Sequence, residues 1–119
     1  MGLVSIRGAI TAENDREDML DKTEKMLVKI IEENCLKISD IKSILFTATR
    51  DLDKVYPAVA ARKLGITMAA LMCMQEMYVE GSLEKCIRVT VTAESSKNQD
   101  EVAHVYMGEA ERLRPDLKK

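Results

Sequence analysis

Hydrophobic and polar residues alternate most clearly between residues 86 and 92, in the run Cys-Ile-Arg-Val-Thr-Val-Thr. Successive side chains of a β-strand point to opposite faces of a sheet, so Ile87, Val89 and Val91 share one face. The other face carries Cys86, Arg88, Thr90 and Thr92. A guanidinium stays protonated and is costly to bury without an anion. The pattern therefore predicts a strand in which Arg88 meets either a bound anion or a nearby carboxylate.

A second pattern, with apolar residues at helical spacing, lies nearer the start of the chain. Apolar residues recur at helical spacing as far as about Asn34, at Met19, Leu20, Met26, Leu27, Ile30 and Ile31. We expect Asn14 to cap this helix and Glu17 to complete a capping box. A second, shorter helix is indicated by Pro57, which suits a first helical turn, and by Gly65, which suits a helix end.

Four more segments have the pattern of strands, namely residues 3–10, 43–49, 68–74 and 102–107. In the first of them, Ser5 and Arg7 fall on one face and Val4 and Ile6 on the other. Residues 93–100 are expected to form a polar connection. Because strands and helices are mixed along the chain, we predict one domain over residues 1–119, of the α+β class, with a mixed β-sheet and flanking helices.

Composition narrows the function classes. The net charge of −2 gives no electrostatic case for nucleic acid. The sequence contains no apolar run near the roughly 20 residues that span a membrane, and it does not begin with a secretory leader pattern. Three cysteines without a C-x-x-C pair and one histidine argue against structural zinc. We therefore expect a cytoplasmic protein with reduced thiols.

Several common catalytic motifs are missing from the sequence. There is no glycine-rich phosphate loop and no G-x-S-x-G elbow, and His104 is the only imidazole available to a catalytic triad. Arginines near apolar strands, a thiol, a carboxylate and tyrosines remain. This set suits the binding of a small anion and the stabilisation of charge, without nucleophilic catalysis.

Six short motifs occur in order along the chain. They are Ile6-Arg7-Gly8-Ala9, Tyr56-Pro57-Ala58 with Arg62, Cys73-Met74-Gln75-Glu76-Met77, Lys85-Cys86-Ile87-Arg88-Val89, His104-Val105-Tyr106 and Leu113-Arg114-Pro115-Asp116-Leu117. With these motifs the chain closely resembles, from end to end, the monofunctional chorismate mutases of the AroH class.

The resemblance implies the rearrangement of chorismate to prephenate, on the route to phenylalanine and tyrosine, without a cofactor or metal. It also implies a homotrimer whose sheets form a pseudo-α/β-barrel, with active sites at the subunit interfaces. Two alternatives stay open. An imine deaminase is built on the same trimeric fold, and a non-catalytic sensor of small anions would bind chorismate without turnover.

The resemblance also suggests roles for individual residues. Arg88 would stabilise negative charge on the ether oxygen, and Arg7 would pair with a substrate carboxylate, assisted by Tyr106. Glu76 and Cys73 would contact the ring hydroxyl, although a regular strand points them to opposite sides unless the chain turns between Met74 and Gln75. The other expected substrate contacts come from residues 72–76, which include Met72, Met74 and Gln75, and from Tyr56, Arg62, Leu113 and Arg114.

The chain departs from the family pattern at three places. Val59 occupies a position near the pocket mouth where relatives often have lysine, which would weaken attraction for a dianion. Tyr56 replaces a common phenylalanine, and the tail ends at Lys119, earlier than in some relatives.

Overall fold

The computed structural model describes residues 2–115. Five strands are β1 (Gly2–Thr11), β2 (Ile41–Ala48), β3 (Ala70–Gln75), β4 (Cys86–Ser95) and β5 (Val105–Met107), and two helices are α1 (Arg16–Glu33) and α2 (Ala58–Lys63). Short 3-10 segments occupy Ile38–Asp40, Gln99–Glu101 and Gly108–Arg112. Asp116 and Leu117 of the last sequence motif lie outside the described residues. Within residues 2–115, no helix is both long and apolar enough to cross a membrane.

The strands form one mixed sheet in the order β3-β2-β4-β1-β5. Central β4 runs antiparallel to both of its neighbours, whereas the outer pairs β2–β3 and β1–β5 are parallel. The predicted α+β class with a mixed sheet and flanking helices is therefore confirmed.

Both helices cover one side of the sheet, which we call the helix face. Ile6, Ile44, Phe46, Ile87 and Val91 of the strands are buried there with Met26, Leu27 and Ile30 of α1 and Ala61 of α2. Gly8 permits this close packing, since a Cβ at this position would lie 2.8 Å from Ile30 Cδ1 and 3.0 Å from Val89 Cγ2. The opposite side, which we call the open face, has no α-helix over it among residues 2–115, although the 3-10 segment Gly108–Arg112 packs there through Ala110.

The start of α1 differs from the sequence prediction by one residue. Asp15, not Asn14, is the N-cap, and its side chain accepts a hydrogen bond from the Asp18 amide at 3.0 Å. Asn14 instead bonds Asp53, where its Nδ2 donates to the carboxylate and its Oδ1 accepts from the backbone amide. Both residues suit a cap chemically, and the contact with a distant loop decides between them.

Strand bounds also shift from those predicted. The structure extends β4 to Ser95, into the segment expected to be a polar connection, because Ala93 remains buried and pairs with Val4. The edge strand β3 begins at Ala70 and continues to Gln75, so it starts and ends later than predicted. Pairing with β1 limits β5 to three residues, fewer than predicted for residues 102–107.

Candidate active site

One row of directly opposed residues crosses the open face. From β3 to β5 it consists of Met74, Thr47, Arg88, Ala9 and Tyr106, and we call it the central row. Paired residues in a sheet point to the same face, so strand pairing alone brings Arg88 and Tyr106 to either side of a small alanine. The next row carries Met72, Leu45, Thr90 and Arg7. The sheet thus gathers both predicted arginines on one surface.

Arg88 lies near one internal carboxylate, that of Glu76. The Arg88 Nη1 atom is 3.9 Å from Glu76 Oε1, which is longer than a direct hydrogen bond. Glu76 is held more closely by Thr47, whose hydroxyl donates to the same oxygen at 2.6 Å. The Glu76 backbone amide also donates to the Ala48 carbonyl at 2.9 Å. Glu76 is therefore fixed beside Arg88, while the guanidinium keeps donors for a further anion.

Hydrogen bonds around Asp51 fix the start of β4 and hence the position of Arg88. The Asp51 carboxylate accepts from the Thr49 hydroxyl at 2.6 Å and from the Lys85 amide at 3.1 and 3.2 Å. The Thr49 hydroxyl in turn accepts from the Cys86 amide at 3.0 Å. Lys85 has a positive φ of 53°, which this pair of bonds helps to hold.

Arg7 has an exposed guanidinium with no ion pair among the residues that the structure describes. Its backbone is anchored, because the Arg7 amide donates to His104 Nδ1 at 2.9 Å. The single histidine therefore supports the edge of the sheet at this position. An anchored strand with an unpaired cation is suited to bind a carboxylate from solution.

Tyr106, at the end of the central row, and Cys86, two residues before Arg88 on β4, are buried on the open face. They form a small apolar cluster with Ala9 and Ala110, against which Leu83 and Leu113 pack. Burial raises the pKa of the Cys86 thiol from 9.0 to about 11, although the positive charge of Arg88 acts in the opposite direction. Cys86 is therefore a neutral packing residue at ordinary pH, as expected for a cysteine of the core.

A second region lies at the edge of the sheet, between the loop after β2, the start of α2 and the end of β3. This cleft has a volume of about 570 Å³, and we call it the β2–α2 cleft. Its lining includes Tyr56, Val59, Cys73, Met74 and Gln75. The volume falls within the range typical of small-molecule sites.

Cys73 and Glu76 point to opposite sides of β3. Cys73 pairs with buried Phe46 and packs against the helix-face core, whereas Glu76 bonds Thr47 on the open face. The strand stays regular through Gln75, so the turn between Met74 and Gln75 that would bring them together is absent. Within one chain, these two side chains do not meet.

The remaining predicted contacts are divided between the two regions. Met72 and Met74 lie on the open face and are 57% and 42% exposed, and Met74 also lines the cleft at the edge of the sheet. Leu113 packs against the Tyr106 cluster, and half-buried Arg114 follows it. Arg62 is exposed on α2 and is not part of the cleft lining.

Comparison with known proteins identifies the family. The model of the family "Chorismate mutase type I" matches residues 3–117. The chain belongs to the chorismate mutase type I family. The resemblance of the six motifs to this family is thereby confirmed over nearly the whole sequence.

Two curated relatives and one solved structure agree with this assignment. "Chorismate mutase AroH" of Bacillus subtilis is 48% identical over 119 residues, covering 98% of this chain and 94% of the relative. The protein of the same name from Thermus thermophilus is 41% identical over 114 residues, covering 94% and 93%. A chorismate mutase structure from Clostridium thermocellum has a TM-score of 0.88 at 46% identity, covering 90% of this chain and 96% of that one.

Thr47 was not singled out by the sequence, although it bonds Glu76 in this member of the chorismate mutase type I family. The sequence shows Thr47 as a polar residue within the predicted strand 43–49. Only the register between β2 and β4 places it opposite Arg88. Arg16, the first residue of α1, was also not predicted to belong to a site. The cleft that it lines is otherwise formed by residues 48–59 and 73–75, which are distant in sequence. Within residues 2–115, no group of three or more acidic, cysteine or histidine side chains is arranged to hold a metal ion.

Proposed function

We propose that the protein rearranges chorismate to prephenate at a site formed by the open face of one subunit and the β2–α2 cleft of a neighbour. Membership of the chorismate mutase type I family makes the protein an isomerase that acts on chorismate. The main support for the proposed site is the arrangement of charged side chains on the open face. There Arg7 and Arg88 lie in adjacent rows of paired strands, beside one fixed carboxylate.

Charge separation in the reaction explains the need for a fixed cation. Chorismate is a dicarboxylate, and in its [3,3] rearrangement the C–O bond breaks before the new C–C bond is complete. Negative charge therefore grows on the ether oxygen while the ring becomes cation-like. Arg88 would donate to that oxygen from a preorganised position, a kind of interaction that contributes roughly 3–4 kcal/mol in other enzymes.

The other open-face residues would hold the substrate in its folded conformer. Arg7, with no ion pair among residues 2–115, would bind one substrate carboxylate, and Tyr106 would donate a hydrogen bond to it. Glu76, oriented by Thr47, would accept from the ring hydroxyl and stabilise the positive ring. Such restraint lowers the entropy cost of reaching the transition state.

The division between the two regions supports a site shared by subunits. Cys73 and Tyr56 belong to the cleft and Glu76 to the open face, so both sets reach one substrate only if two copies combine. The open face also exposes large apolar side chains, with Leu3 at 64% and Leu45 at 44%, besides Met72 and Met74. A second copy would bury them, in accord with a homotrimer with a pseudo-barrel centre.

In such a site, the cleft of the neighbour would supply Tyr56, Cys73, Met74 and Gln75, with Met72 and Arg62 near its edges. Leu113 and Arg114 would close the pocket from the C-terminal side of the open face. The three cysteines are free, which supports a reducing compartment such as the cytoplasm.

Loss of chorismate absorbance on addition of purified protein tests the activity directly. Turnover at submillimolar chorismate is expected, and Arg88→Ala is the matched inactive control. An absence of turnover at millimolar chorismate would contradict the function, and binding without turnover would favour the anion sensor instead.

Mixing two defective variants tests the shared site. Arg88→Ala damages only the open face, and Tyr56→Asp with Val59→Glu places repelling carboxylates only in the cleft. Co-refolded at equal amounts, these variants should regain about a quarter of wild-type activity. Half of all open faces would be intact, and half of those would meet an intact cleft of a neighbour. No recovery, together with a monomer mass in solution, would show that each site is built from one chain.

A further inference from the structure

Positive charge predominates along the wall of the β2–α2 cleft. Its charged lining consists of Arg16, Arg50, Lys54 and Asp53, three cations against one carboxylate. That carboxylate is already engaged, since Asp53 Oδ1 accepts from Asn14 Nδ2 at 2.9 Å and lies 4.0 Å from Lys54 Nζ. The cleft therefore presents a net positive surface next to Tyr56 and Cys73.

Arg16 is the cation in this cleft whose position has no structural explanation. Its side chain is exposed and, within residues 2–115, makes neither an ion pair nor a hydrogen bond. Yet its backbone is well fixed, because Asp15 caps α1 and Asn14 is bonded to Asp53 through both side-chain atoms. A fixed base with an unpaired guanidinium is suited to meet a charged group from outside.

The other two cations are less available. The Arg50 guanidinium lies over the Tyr78 ring, 3.7 Å from its centroid, and so packs against the loop that follows β3. Lys54 has Asp53 nearby, which offsets part of its charge. Val59, which lines the same cleft from α2, adds none.

We infer that Arg16 recruits the dianionic substrate into the β2–α2 cleft, with Lys54 as a weaker assistant. This inference rests on the proposed function, and it names a substrate-binding residue additional to those of the six motifs. An exposed cation beside a cleft raises the local concentration of an anion and speeds its capture. Because salt screens such attraction over about 10 Å at 0.1 M, the effect is largest at low ionic strength.

Recruitment leaves a distinct kinetic signature. Arg16 attracts the substrate and the transition state alike, so losing it raises KM while kcat is largely retained. A merely structural role for Arg16 would lower thermal stability or kcat and would not depend on salt.

Charge reversal at two positions of α1 provides the test. Arg16→Glu is compared with Lys29→Glu, which makes the same change of net charge on the same helix but at an exposed position outside the cleft. Arg16→Glu should lower kcat/KM by roughly three- to tenfold relative to Lys29→Glu at about 20 mM ionic strength, and the difference should shrink below twofold at about 0.5 M. The milder Arg16→Gln should lose roughly two- to threefold.

Rescue completes the experiment. Val59→Lys, which restores a cation to the same cleft, should recover most of the kcat/KM lost in Arg16→Gln. If Arg16→Glu and Lys29→Glu have equal kcat/KM at both ionic strengths, the inference is wrong while the mutase activity stands. If wild-type protein does not turn over chorismate, the proposed function fails, and this inference fails with it.

Discussion

The open face and the β2–α2 cleft contrast in how their side chains are held. On the open face, Arg88 and Glu76 project from paired strands, and Glu76 is fixed by a 2.6 Å bond from Thr47. In the cleft, Tyr56 is 72% exposed and Arg16 has no side-chain partner among the described residues. Charge stabilisation needs groups that do not reorganise, whereas capture tolerates mobile ones. We therefore expect open-face variants to affect kcat and cleft variants to affect KM.

Arg88→Ala should have the largest effect of all. Removing the cation that we propose faces the developing oxyanion should lower kcat by roughly 10²- to 10³-fold, on the scale of one preorganised donor. Single-turnover kinetics at saturating chorismate would measure the loss. If KM rose instead while kcat held, the assignment of chemistry to the open face would be wrong.

The buried thiol of Cys86, on the open face, should make the free energy of unfolding depend on pH. Its pKa is raised by burial from 9.0 to about 11, so the folded protein favours the neutral thiol and binds a proton that the unfolded chain has lost. The resulting stability is complete below about pH 9 and is lost as the pH rises through 11, a total of roughly 2–3 kcal/mol.

Urea unfolding of wild type and Cys86→Ala between pH 8 and pH 11 would measure this contribution. The wild type should lose more free energy of unfolding over this range than the variant does. Cys35→Ala, at an exposed cysteine, is the control and should follow the wild type. Parallel curves for Cys86→Ala and wild type would show that the thiol titrates as it does in the unfolded chain.

Thr47→Val tests how firmly Glu76 must be held. The substitution keeps the shape of the side chain but removes the donor to Glu76 Oε1, so kcat should fall by roughly five- to tenfold, or about 1 kcal/mol. Thr92→Val makes the same change on the open face, four residues along β4 from Arg88, and should leave kcat within about twofold of wild type. Equal kcat values for Thr47→Val and Thr92→Val would show that this hydrogen bond does not contribute.

Tyr56→Ala should have the smallest effect and should act on KM. Because the ring is mostly exposed in the subunit, its loss should raise KM by less than about fivefold and leave kcat nearly intact. Steady-state kinetics would separate the two parameters, with Met68→Ala, at a residue 95% exposed, as the control. A fall in kcat larger than that of Thr47→Val would abolish the distinction between the two regions.

The sequence predicted the faces of β1 and β4 from the alternation of their side chains, which is clear in β4 and looser in β1. Arg7 and Arg88 accordingly lie where the alternation of Val4 and Ile6 and of Ile87 and Val89 places them. The cap of α1 was misplaced by one residue because Asn14 and Asp15 have similar chemistry. Only the contact with Asp53, 39 residues away, distinguishes them.

Contacts between distant segments also limit how much of the site can be predicted from the sequence. The strand pattern alone allowed two partners for Arg88, a bound anion or an internal carboxylate. The structure shows a carboxylate at 3.9 Å that is bonded more closely to Thr47, so the two are not exclusive. Strand periodicity predicted that Cys73 and Glu76 face opposite ways, but no local pattern shows which parts of two copies meet.

The most direct test of the central claim replaces Arg88 with citrulline, which keeps the shape and most hydrogen-bond donors of arginine but carries no charge. If a fixed positive charge stabilises the ether oxygen, kcat should fall by at least about 10²-fold while the folded structure is unchanged. If the citrulline protein retained near wild-type kcat, the electrostatic account of this enzyme would be contradicted.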